Sequence, residues 1–124
     1  MRSGRPLKVL FFKTATGDEP LRGWLKSLTK EDCKTIGADI LTVQYAWPVG
    51  RPLVDNLGDG VGEVRSRLKN RIARTLFTVV DHEIVLLHGF IKKWQKTPQD
   101  ELGLARKRRK LYLQNYEQKN PSRK

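Results

Sequence analysis

The residues with the clearest chemical potential are cations placed inside strand-forming segments. Arg65 and Arg67 alternate with Val64, Ser66 and Leu68, and Arg74 stands between Ile72 and Leu76 in the next such segment. A third segment runs through His88 to Lys92 and Lys93, with Trp94 and Lys96 just beyond. Arginine offers a planar, bidentate fork and lysine a compact charge. Drawn together, these groups would surround a phosphate. Trp94 reads either as a packing residue or as a plane on which a base could stack.

Alternation places Glu63 on the same strand face as Arg65 and Arg67, so that face is expected to lie outside the core. The other reading of that face is a solvated surface with an acid–arginine cross-pair. Arg74, among apolar neighbours, is costly to bury without an anion, which Glu63 or a phosphate would supply. His88 falls in phase with Ile84, Leu86 and Phe90. A histidine there is commonly structural, yet its ordinary pKa suits it to general-base work. Glu63 is the alternative base. With one Cys and two His at no ligand spacing, no metal centre is expected. No phosphate-binding or dinucleotide glycine fingerprint occurs, and Gly58-Asp59-Gly60 reads as a turn. No cofactor is expected. An enzyme built from this set would cleave a phosphodiester without metal, with Arg65, Arg74 and Lys93 stabilising charge on phosphorus.

The elements that must hold these residues follow from periodicity. Val9–Phe12 predicts a first strand. Asp18 is an expected N-cap, with Pro20 in the first turn of a helix carrying Leu21, Trp24, Leu25 and Leu28. Thr29 and Asp32 resemble a capping box that opens a second helix, with Cys33, Ile36, Ile40 and Val43 on one face and an end near Trp47. Residues 48–60 are rich in Pro, Gly, Asp and Asn and are expected to be loop. The period then shortens to two, predicting strands over 62–68, 72–80 and 83–91 with tight joints at Lys69-Asn70 and Asp81-His82. Thr97 and Pro98 start a last helix with Asp100 and Glu101 in its first turn. Leu102, Ala105, Tyr112 and Tyr116 share one of its faces. The expected fold class is α+β: an N-terminal strand, a helical hairpin, an antiparallel β-meander and a C-terminal helix. The helices would cover one sheet face and leave the other for a ligand. The 124 residues read as a single domain, 1–124, with 119–124 a polar tail.

Charge narrows the partner. Lys and Arg number 25 against 13 Asp and Glu, a formal net charge of +12. Residues 1–60 are nearly balanced, with nine basic and seven acidic side chains, whereas residues 104–124 carry eight and one. Such an excess suits a polyanion, and nucleic acid is the expected partner. Arg106, Arg108 and Arg109 on the last helix are candidate RNA or ribosome contacts, with Arg67, Lys92 and Lys96 nearer the strands. No apolar run approaches the ~20 residues that span a bilayer, so no membrane role is expected. The lone Cys33 allows no internal disulfide, which suits a reducing, cytoplasmic setting.

Two blocks carry a family resemblance: Gly58-Asp59-Gly60-Val61-Gly62-Glu63-Val64-Arg65, and Leu86-Leu87-His88-Gly89-Phe90-Ile91-Lys92-Lys93-Trp94-Gln95-Lys96-Thr97-Pro98. The sequence resembles the phage-derived branch of HigB-like toxins in the RelE/ParE superfamily. That resemblance implies the toxin of a type II toxin–antitoxin pair, a ribosome-dependent mRNA endoribonuclease. It implies mRNA on the ribosome as target and a HigA-like helix-turn-helix antitoxin as partner. By position it makes Arg65, Arg74 and Lys92 or Lys93 the basic active-site residues. Glu63 stands where RelE has lysine, and the late tyrosine of RelE has no clear counterpart, Tyr112 lying well inside the last helix. Two other functions share the same features: a ParE-like gyrase poison, and a non-catalytic basic nucleic-acid-binding protein.

Overall fold

The computed structural model describes residues 5–92 and 97–119. Its elements are β1 (Lys8–Phe11), α1 (Pro20–Lys26), α2 (Lys30–Ala46), β2 (Val54–Gly58), β3 (Val61–Leu68), β4 (Arg71–Val80), β5 (Glu83–Lys92) and α3 (Gln99–Lys119). The protein is α+β, with one five-stranded mixed sheet in the order β1-β5-β4-β3-β2. β1 runs parallel to β5 and every other pair is antiparallel. The 119–124 tail expected from sequence lies outside the described residues beyond Lys119.

The helical hairpin and meander form where periodicity placed them. Thr29 caps α2 by accepting from the Asp32 backbone N–H at 3.1 Å, and Pro20 occupies the first turn of α1. Asp18 does not cap α1. It closes the preceding turn instead, its carbonyl accepting from the Thr14 N–H at 2.8 Å while its own N–H donates to the Thr14 hydroxyl at 3.2 Å. Residues 48–60 are not all loop: Val54–Gly58 pairs with β3 as an edge strand. The Gly58-Asp59-Gly60 joint is a left-handed turn, with φ of 91°, 54° and 79°.

Helices cover both faces of the sheet, not one. On the first face, Leu21, Ile36, Ile40 and Val43 of α1 and α2 pack on Val64, Ala73, Phe77, Ile84 and Leu86. On the second, Leu102 and Ala105 of α3 pack with Phe12 on Val61, Leu76, Val85, Leu87 and Phe90. The expectation of one open face fails because α3 supplies few apolar residues and completes its contact with arginine stems and heads. Arg106 donates to the Leu57 carbonyl at 3.3 Å, Arg108 to the Leu87 carbonyl at 2.8 Å, and Arg109 to the Thr78 hydroxyl at 3.0 Å. Gly60 makes room for this. A Cβ there would sit 2.5 Å from the Arg109 guanidinium.

Candidate functional site

The candidate site lies on the α3 side of the sheet, where strand register sets three rows side by side. Glu63 of β3 pairs with Leu76 of β4, which pairs with His88 of β5. The next row is Arg65, Arg74 and Phe90, and the next is Arg67, Ile72 and Lys92. The side chains of Glu63, Arg65, Arg67, Ile72 and Arg74 therefore share one face. The main chain of Lys92 closes the third row. Lys93, Trp94 and Lys96 lie outside the described residues.

His88 reaches this face through an irregularity that its sequence phase conceals. The register shifts between Leu76 and Phe77, so that Leu76 pairs with His88 while Phe77 pairs with Leu86, leaving Leu87 as an extra residue. Leu87 joins Val85 and Phe90 under α3, while Ile84 and Leu86 pack against α1 and α2. His88 is thus out of phase with Ile84 and Leu86, contrary to the alternation expected, and in phase with Phe90, whose ring lies 5.6 Å away.

The charged face is partly core, against expectation, because α3 and the residues before it roof it over. Glu63 is 1% exposed and Arg74 0%. Arg74 donates to Glu63 Oε2 and to the Thr97 hydroxyl, both at 3.4 Å, and Thr97 donates to the same carboxylate oxygen. Arg65 Nε stands 3.7 Å from Glu63 Oε1, its side chain 26% exposed. One buried carboxylate thus serves two arginines, one sealed inside and one reaching the surface. The anion that Arg74 requires is Glu63, as one of the two sequence readings had it. Arg67 is exposed, beside Leu68, Asn70, Arg71 and Ile72, which with it border a shallow pocket.

His88 is held from both sides by α3. Its Nε2 is 2.5 Å from Glu101 Oε1, and its Nδ1 is 3.4 Å from Arg108 Nη1. Because the guanidinium can only donate, Nδ1 accepts and Nε2 carries the proton given to Glu101. Burial lowers the Arg108 guanidinium below its usual pKa. The same nitrogen that faces His88 also binds the Leu87 carbonyl, which fixes α3 to the extra residue of β5.

The structure therefore brings Glu63, Arg65, Arg67, Arg74 and His88 onto one face. It turns Arg106, Arg108 and Arg109 partly inward as fasteners of α3 and leaves Lys107 and Lys110 exposed. Two residues with larger roles than sequence suggested are Thr97, expected only as a helix cap, and Glu101, expected only to favour the helix dipole. The signal that could have found them is the pair of ionisable groups, Arg74 buried and His88 partly buried, each needing a polar partner from outside its strand. Among the described residues, no cluster of His, Cys, Asp and Glu could hold a metal ion, and no helix is long and apolar enough to cross a membrane.

The family model for Phage derived protein Gp49-like (DUF891) matches residues 23–110. That span runs from α1 into α3 and includes every row of the site. No curated protein matches the chain.

Proposed function

The chain belongs to the phage-derived Gp49-like family, and from that premise we propose that it is a HigB-like toxin, of RelE/ParE type, that cleaves mRNA on the ribosome. The observation that carries the reading is the pair of adjacent rows in which Arg65 and Arg67 stand on one face, anchored from below by the Glu63–Arg74 pair. The net charge of +12 supports a polyanionic target.

The reaction is a transesterification. The ribose 2′-OH attacks the adjacent phosphorus, the bond to the 5′ oxygen breaks, and a 2′,3′-cyclic phosphate and a 5′-OH result. One proton leaves the 2′-OH and one is given to the departing 5′ oxygen. Arg65 and Arg67 meet the phosphate and stabilise the charge that builds on its non-bridging oxygens. The sequence supplies further cations at Lys92, Lys93 and Lys96. Glu63 and Arg74 act from beneath as positioning residues, since neither has the exposure to touch RNA. His88 is the proton-transfer group of this scheme, Glu101 fixing its tautomer as the orienting carboxylate does in other acid–base dyads. Its use as a base requires Arg108 to release Nδ1. The ribosome orients the message and provides the proximity that a shallow face lacks.

The test is a brief induction of the protein followed by transcript mapping. Cleaved messages that vanish with Arg65→Ala support the reading. Intact messages with a DNA-damage response refute it in favour of gyrase poisoning, and intact messages with neither refute it in favour of plain nucleic-acid binding.

A further inference from the structure

Beside the proposed site, α3 and the loop after β1 enclose a groove of about 370 Å³. Its floor is apolar: Leu104 and Leu111 of α3, one heptad apart on a single helix face, and Phe12 at the end of β1. Leu111 is 43% exposed and is one of three large hydrophobic residues on the described surface with that much exposure. The charged side chains that line the groove are Lys13, Lys107 and Arg108, with no acid among the lining residues. Arg108 also sits over the Phe12 ring, 5.8 Å from its centroid, so cation and apolar floor are continuous.

Two polyanionic occupants fit this charge, and the floor separates them. Single-stranded RNA binds through phosphates and by stacking bases on open aromatic planes. Phe12 is 5% exposed and presents no such plane. A leucine floor with cationic edges instead matches the helix-in-groove mode, in which apolar side chains on one helix face enter the groove and flanking charges meet its rim. We propose that this groove is a protein-docking surface for an acidic amphipathic helix, which sets leucine-like side chains over Leu104 and Leu111 and carboxylates beside Lys13, Lys107 and Arg108. The spacing of the floor residues, seven positions or ~10 Å along α3, calls for apolar side chains two turns apart in the ligand. The partial burial of Arg108 strengthens its attraction to a carboxylate brought alongside. The groove adjoins the proposed nucleolytic site through Arg108, which also bonds His88 Nδ1 at 3.4 Å, but the inference needs no catalysis and is read by binding alone.

The probe is a fluorescently labelled 18-residue helical peptide with leucines at i, i+3 and i+7 on one face and glutamates beside them, titrated into the full chain. The expected result is saturable binding, with NMR shift changes centred on Leu104, Leu111 and Lys13. Leu111→Ser and Lys107→Glu should each weaken it by about tenfold, the scale of losing one anchor or one close charge pair. Both positions are exposed enough to substitute without unfolding, which a thermal melt checks. Arg67→Ala should leave binding unchanged. Equal binding by a peptide with serines in place of leucines overturns the proposal, as it would mean unspecific charge attraction. So does no saturable binding, a shift pattern on the Arg67 face, or tighter binding of a uridine oligonucleotide in the same groove.

Discussion

Replacing Glu63 by glutamine tests whether the site rests on its buried carboxylate. The substitution keeps size and leaves an oxygen for the Thr97 hydroxyl, but it removes the carboxylate paired with Arg74. Arg74 is fully buried, so its charge has no water to fall back on. Removing one partner of a buried ion pair costs about 3–5 kcal/mol. The retained Thr97 contact places the loss near the lower end. The half-surface Arg65 contact at 3.7 Å adds at most about 1 kcal/mol, since partly solvated pairs are weak. A loss near 3 kcal/mol is a large share of the roughly 5–15 kcal/mol that holds a domain together. For a chain of this size it lowers Tm by roughly 9–15 °C. Urea unfolding followed by circular dichroism measures the change. Pairing Glu63→Leu with Arg74→Met removes both charges and should recover most of the loss, because apolar substitutes of similar volume commonly match a buried pair. A drop below about 1 kcal/mol for Glu63→Gln, or a double variant no better than the single one, would refute the claim that these two residues anchor the face.

Other expectations follow from the same geometry. Arg65→Ala should leave Tm within about 5 °C, its ion pair being weak, while slowing ribosome-dependent cleavage by about 10²–10³; primer extension on a defined message reads the rate. Gly89→Ala should cost about 1–3 kcal/mol by overpacking, since its Cβ would fall 2.3 Å from the Trp24 ring and 2.7 Å from Leu21; urea unfolding measures it. The Tyr112 hydroxyl donates to Glu83 at 3.0 Å, and burial, followed by that carboxylate, raises its pKa well above the usual value near 10. The folded state thus holds a proton that the unfolded chain releases, so stability is full below about pH 10 and falls as pH rises beyond it. Tyr112→Phe should flatten that alkaline decline in a series of melts.

The elements with strong period or caps were legible from sequence. Thr29 announced α2, and the change of period after Gly60 announced the meander. The edge strand β2 was hidden because Val54-Asp55-Asn56-Leu57-Gly58 is short and rich in turn formers, and its register shifts between Asn56 and Gly58. The second covered face was hidden because α3 reads as a basic helix with little apolar surface. Its docking uses arginine donors on carbonyls, which carry no periodic signature. The phase of His88 was misread because one extra residue at Leu87 reverses every inference drawn from alternation upstream of it. The convergence of Arg65, Arg67 and Arg74 was legible, since it depends only on alternation and tight hairpins. The burial of Arg74 followed from its apolar neighbours. The roof made by Thr97 depended on contacts between positions far apart in the chain.

The parallel seam between β1 and β5 has a consequence for the order of assembly. Lys8 meets Glu83 and Phe11 meets Leu86, so the first strand made is completed by the last. While a nascent chain lacks residues 83–86, Val9 and Phe11 have no seam to enter and remain an open apolar end. The hairpins among β2, β3, β4 and β5 are local and close fast, whereas this joint waits for a long loop closure. A growing polypeptide therefore possesses its paired arginines before it possesses a sealed sheet.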